Sequence, residues 1–191
     1  MYHIPKDKRS EQSVRLIYNG LISCLKKKGF DQITVSDLQK ESGVARTTIY
    51  RSFDNISDIL YWKCDTCFHD SLFSSMPSLR SSEMELAKHY FKYWMEHSDI
   101  LELLMKINRF DIIYACHMKN ADALAAQYGR LPNFPAEHGN YFIAIRTGFT
   151  VSILTAWLRG GRRETPEEIT AIIQEQLVLL QQGSKCDKKA A

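Results

Sequence analysis

The stretch Ile33-Thr34-Val35-Ser36-Asp37-Leu38-Gln39-Lys40-Glu41-Ser42-Gly43-Val44-Ala45-Arg46-Thr47-Thr48-Ile49-Tyr50-Arg51-Ser52-Phe53 decides how this chain is read. Thr34 is a good N-cap, and Asp37 follows at the capping-box distance, so a short helix is expected over about Val35–Glu41. Ser42-Gly43 makes a turn, a second short helix is expected over about Ala45–Ser52, and Asp54-Asn55 breaks it. Val35, Leu38, Val44, Ile49 and Phe53 are spaced to pack the two helices together and onto a preceding helix. Two short helices joined by a glycine-containing turn form the helix-turn-helix layout.

The second helix then turns Arg46, Thr47, Thr48, Tyr50 and Arg51 outward. These are donors and small contact groups suited to phosphates and base edges, on an element that fits the DNA major groove. Upstream, Val14, Ile17, Leu21, Ile22 and Leu25 recur at helical spacing, predicting a first helix over about Ser10–Lys28. Lys26-Lys27-Lys28 suit its carboxyl end, Gly29 stops it, and Phe30 folds back as an apolar plug. Residues 1–53 hold ten Lys/Arg against five acidic residues, a balance of +5 in a chain whose total is +3. A basic front and a slightly acidic rear point to a polyanionic partner at the front.

Over residues 10–62 the sequence resembles the TetR family of transcriptional regulators. The resemblance rests on the basic first helix, Gly29-Phe30, Ile33-Thr34-Val35, Ser42-Gly43-Val44, the run Thr47-Thr48-Ile49-Tyr50-Arg51-Ser52-Phe53 and an acidic start to a fourth helix. It implies that Thr34 and Ser36 face double-stranded DNA from the second helix. It places Arg46, Thr47 and Thr48 in or beside the groove, Tyr50 on a phosphate, and Arg51 in support. Two positions depart from the family pattern. Ala45 stands where many members have serine, so a cap and a possible phosphate contact are missing. Ile56 stands where many have a phosphate-pairing lysine, which should lower the salt dependence of binding by a slope of roughly 0.9.

The remaining periodic segments also read as helix, with Gly and Pro between them. The fourth is expected over Ser57 to about Met76-Pro77. Later helices are expected at about Ser82–Glu96, Ser98–Lys106, Arg109–Tyr128, Glu137–Arg159 and Pro166–Gln182. A loop over residues 130–135 separates two of these. The expectation is an all-α chain of about nine helices: a DNA-binding domain over residues 6–66, an effector and dimerisation domain over 67–184, and a mobile tail over 185–191. Of the 191 residues, 45% are apolar and 25% charged, an ordinary balance for a globular protein. The polar start argues against a signal peptide, and Arg146 interrupts the longest apolar region, so no membrane partner and a cytoplasmic location are expected. Five cysteines, an odd and scattered set, read as free thiols. No phosphate loop, nucleophile elbow or HExxH motif is present, so neither an enzyme nor a cofactor or metal site is expected.

In the rear half, the run from Ala144 to Gly161 followed by Thr165-Pro166-Glu167-Glu168-Ile169 looks like the closing two helices of many TetR-like regulators. The resemblance implies a homodimer built on them. Gly148, Ser152 and Ala156 recur every four residues and leave room for a partner helix. The aromatic and methionine-rich region 86–142 corresponds to the family's pocket for a small-molecule effector, with Trp94, Tyr114 and His117 as candidate contacts. The expected function is a regulator, in the first instance a repressor, that holds a near-palindromic operator as a homodimer and is released by its effector. Two alternatives stand beside it: a metal- or thiol-responsive sensor using Cys64 and Cys67, and an activator or co-regulator of the same fold.

Overall fold

The computed structural model of the chain describes residues 1–73, 83–120, 122–123 and 136–186. Nine α-helices lie among the described residues: α1 Lys8–Leu25, α2 Val35–Ser42, α3 Arg46–Ser52, α4 Ser57–Phe73, α5 Glu83–Glu96, α6 Ser98–Lys106, α7 Asp111–Lys119, α8 Gly139–Arg159 and α9 Pro166–Cys186. Short 3-10 turns cover Phe30–Gln32 and Ala136–His138. The extended pairing among the described residues is one antiparallel bridge between Tyr2 and Phe53. The protein is all-α.

Several boundaries differ from the periodicity for local reasons. Helix α1 starts at Lys8 because Asp7 is its N-cap, accepting from the Ser10 amide at 2.9 Å. It stops at Leu25, with Lys26 as its C-cap, so Lys27 and Lys28 lie beyond it and reach α2. Asn108 has a left-handed φ of 56°, and the Arg109 amide bonds back to the Leu104 carbonyl at 2.8 Å. That cap ends α6 and delays α7 to Asp111. Helix α9 runs through Cys186, into the segment expected as a tail. The expected end of α4 near 76–77, the stretch beyond 123 in the expected Arg109–Tyr128 helix, the 130–135 loop and residues 187–191 lie outside the described residues.

The described residues pack as two compact units, those within 1–69 and 99–117, and those within 70–98 and 118–186. In the first, Val14, Ile17 and Leu21 of α1 are buried, as are Leu38 of α2, Ile49 of α3 and Ile59, Leu60 and Phe68 of α4. Ile100, Leu101 and Leu104 of α6 and Ile112 and Ile113 of α7 are buried too, so α6 and α7 belong to the unit that carries the helix-turn-helix. Arg109 contributes to the same unit. Its guanidinium holds Asp111 through two bonds of 2.9 and 3.0 Å, donates to Ser57 Oγ at the start of α4 at 2.9 Å, and lies 5.8 Å over the Phe30 ring. In the second unit Phe91 and Trp94 of α5, Ile143, Leu154 and Trp157 of α8, and Ile169 and Ile173 of α9 are buried.

One close approach sets the front of the first unit. A Cβ built on Gly20 of α1 would lie 2.8 Å from Ser42 Cβ and 2.9 Å from the Ser42 amide nitrogen, at the end of α2. The neighbour is largely backbone and cannot swing aside. Gly20→Ala should therefore force α1 and α2 apart, costing about 1–3 kcal/mol. The check is a thermal melt, with Tm lowered by several degrees; an unchanged Tm would contradict this packing.

Candidate nucleic-acid interface

Local hydrogen bonding places the two motif helices. Thr34 Oγ1 accepts from the Asp37 amide at 3.3 Å, and Asp37 Oδ2 accepts from the Thr34 amide at 2.8 Å, closing a reciprocal capping box. The Thr34 hydroxyl also donates to Asp37 Oδ2 at 2.6 Å, and Lys28 Nζ donates to it at 2.7 Å. The Lys28 ammonium and then the Thr34 hydroxyl hold the Asp37 carboxyl well below the ordinary range. So one residue of the triple lysine fixes the start of α2. Lys27 reaches Glu41 at 2.6 Å and ties down its other end.

At that other end Gly43 takes a φ of 70°, a conformation that favours glycine, and its amide bonds to the Gln39 carbonyl at 2.9 Å. Ser42 Oγ then accepts from the Val44 amide at 3.1 Å, and the chain enters α3. Ala45 is the N-cap and makes no side-chain cap bond, as its methyl side chain requires.

Helix α3 has seven residues with two faces. Ile49 and Ser52 face inward with the cap residue Phe53, while Arg46, Thr47, Tyr50 and Arg51 are exposed and Thr48 is half-buried. Tyr50 is 61% exposed, a large ring left in water. Arg46 does not hang free: its Nε donates to Gln39 Oε1 of α2 at 2.8 Å. Thr34 and Ser36 are exposed at the start of α2. All seven residues singled out as DNA-facing thus lie on the two motif helices and the cap between them and the preceding turn. A cleft of about 310 Å³ opens beneath, lined by Phe30, Leu38, Ile49, Tyr50, Phe53 and Ile56 among others.

The rear-domain candidates do not come together in one unit. Trp94 is buried in the second unit beside the rings of Tyr90 and Tyr93. Tyr114 and His117 belong to the first. Tyr114 is exposed on α7, whereas His117 is buried against Phe68, with Nδ1 2.8 Å from the Ile113 carbonyl. Burial pushes the His117 imidazole down to about 4, so it stays neutral at ordinary pH. Cys64 and Cys67 are buried, and burial raises the Cys64 thiol well above its usual value, the opposite of a reactive sensor thiol. Among the described residues no group of three or more His, Cys, Asp or Glu is placed to hold a metal ion.

Sequence reasoning missed the first three residues and Arg109. Met1 to His3 lie outside the expected 6–66 domain, yet they pair with the end of α3: the His3 amide donates to the Ser52 carbonyl at 2.9 Å and the Asp54 amide to the Met1 carbonyl at 3.2 Å.

A basic, exposed face on the second of two short helices, held by a glycine turn, defines a helix-turn-helix DNA-binding protein. Residues 17–60 match the family described as bacterial regulatory proteins, tetR family. That stretch, which holds the second half of α1, all of α2 and α3 and the start of α4, is thus similar to the DNA-binding domain of that family. Among solved structures, Lin0861 of Listeria innocua overlays with a TM-score of 0.77 at 12% identity, covering 93% of this chain and 96% of that one, a likeness of fold. The TetR family repressor AlkX of Dietzia sp. strain DQ12-45-1b gives 0.47 at 16% identity, covering 88% and 97%. No curated protein matches the chain.

Because the folded Asp37 carboxyl is depressed, its bonds contribute stability above the unfolded value of about 4 and are lost as pH falls below it. Melting between about pH 5 and 2 should fall steeply for the native chain and less steeply for Asp37→Asn, which should already be the less stable of the two at neutral pH. Parallel curves would remove Asp37 from this role.

Proposed function

We propose that the protein is a homodimeric transcriptional repressor, cytoplasmic, that reads a near-palindromic operator and is released by a small-molecule effector. The observation that carries this reading is the outward face of α3. Arg46, Thr47 and Thr48 enter the major groove, Tyr50 and Arg51 meet the phosphates, and Thr34 and Ser36 join them from α2. The Gln39 bond orients Arg46 before DNA arrives, lowering the entropy cost of that contact.

The dimer rests on α8. Its exposed side carries Tyr141, Ile145 and Phe149, at 73, 70 and 42% exposure, followed by Ser152 and Ala156. A Cβ on Gly148 would meet nothing within 4 Å. Large side chains at one end of the stripe and small ones at the other suit a second copy of the helix. On α9, Ile172, Leu177 and Val178 are exposed as well. A near-palindromic operator asks a two-fold dimer to present its two copies of α3 roughly 34–36 Å apart, one turn of DNA. The effector site is placed in the second unit around Trp94. His117 is read as packing, and Tyr114 as a surface residue. An effector releases DNA only through its differential affinity for the two spacings of the reading heads.

The test is selection of duplexes from a random pool, followed by fluorescence anisotropy. The enriched duplex should be nearly palindromic and take two subunits. Arg46→Ala should lower discrimination between enriched and scrambled duplex by about 1–3 kcal/mol, while Tyr50→Phe should weaken both alike. Failure to enrich any sequence would overturn the operator reading. Separately, sedimentation should give a dimer for the native chain. Ile145→Asp, with a charge in the centre of the stripe, should weaken it by about 2 kcal/mol or more; a native monomer would overturn the dimer.

A further inference from the structure

The first residues of the chain and a buried carboxylate far from the helix-turn-helix are joined in a way that bears on the reading helix. Asp65 sits on α4, two turns past its start, and is only 4% exposed. Three side chains from three places meet it. The Tyr2 hydroxyl donates a short bond to Oδ2. Cys116 Sγ of α7 donates to Oδ1 at 3.5 Å. His69 Nε2, one turn along α4, lies 3.8 Å from the same oxygen. Tyr2 also packs its ring 6.2 Å from that of Tyr61, whose hydroxyl donates to the Ala115 carbonyl of α7 at 3.3 Å.

The other side of Tyr2 faces α3. Its backbone bridges Phe53, the cap that ends α3, and the flanking amides close two hydrogen bonds across Ser52 and Asp54. The bonds therefore run without a break from the carboxyl end of α3, through residues 1–3, to Asp65 on α4 and on to Cys116 on α7.

We infer that residues 1–3 are a positioning strap for the reading helix, with Tyr2 and Asp65 as positioning residues that join the end of α3 to α4 and α7. Without the strap, the last turn of α3 is held by the burial of Ile49, Ser52 and Phe53 and by the Ser52 hydroxyl on the Thr48 carbonyl. With it, a movement of α7 against α4 alters the carboxylate that anchors Tyr2, and so alters the order of α3. This gives α7 a path to the reading helix through residues 1–3. That α3 is the helix placed in DNA rests on the function proposed above; the strap does not, and its test uses no DNA.

The test is hydrogen exchange on the full chain, read by mass spectrometry over peptides covering residues 46–54. Tyr2→Phe removes one hydroxyl and keeps the ring. It should speed exchange in 46–54 by about fivefold, the worth of one hydrogen bond, while exchange in α1 stays as in the native chain. Cys116→Ala should speed it too, but only while Tyr2 is present; in the Tyr2→Phe background it should add nothing. Cys116→Ser, which keeps a donor, should restore slow exchange. If Tyr2→Phe leaves residues 46–54 unchanged, there is no strap. If the effects of Tyr2→Phe and Cys116→Ala simply add, Cys116 acts by packing and the path from α7 is overturned. Should α1 also exchange faster in Tyr2→Phe, the loss is of global stability, and the positioning role fails on that ground.

Discussion

A seven-residue helix cannot hold its own shape in water, because nucleation costs more than so few hydrogen bonds return. Everything around α3 answers that constraint. From within, Ile49 and Phe53 are buried in the first unit. In front, Gly20 lets α1 press against the end of α2, which fixes where the Gly43 turn leaves α2. Behind, the first residues of the chain take up hydrogen bonds at Ser52 and Asp54. The exposed side is left with charged and hydroxyl groups that have no packing task. The fold keeps α3 rigid by its neighbours and leaves its outer face available for recognition.

The same logic explains what the sequence revealed and what it hid. The box of Thr34 and Asp37 and the left-handed Gly43 are local: residues three or four apart decide them, and their spelling is visible along the chain. The two motif helices and the turn between them were legible for that reason, and so were most helices by periodicity. Lys28 was read as a helix-end cation because the dipole argument is local, yet its partner is Asp37, across a turn. Arg109 and Tyr2 were invisible because their partners, Ser57 and Asp65, lie 52 and 63 positions away. Trp94 and His117 were grouped by composition alone, and composition does not say which unit a side chain enters. His117 had a packing partner in Phe68 that no spacing rule announces.

Helix α8 raises the sharpest question of solvent. The segment Tyr141–Arg159 is long and apolar enough to cross a membrane by length and composition, and only 22% of it is buried within the chain. Lipid and a partner helix would both cover its apolar side, but they ask for different faces. Lipid needs apolar groups all round, whereas a helix partner needs one stripe with room for close approach. On α8 the exposed large groups fall at positions 141, 145 and 149, a single stripe continued by Ser152 and Ala156. The opposite side is already occupied, with Ile143, Thr147, Leu154 and Trp157 buried, and Trp157 Nε1 bonded to the Glu164 carbonyl at 3.0 Å. Arg146 lies partway along, half-buried with its guanidinium 4.3 Å over Phe142. A charge held against an aromatic face inside a one-sided helix is costly in hydrocarbon and ordinary at a protein interface. The exposed apolar groups of α8 thus form one stripe on a one-sided helix, a pattern that suits cover by another protein helix better than cover by lipid.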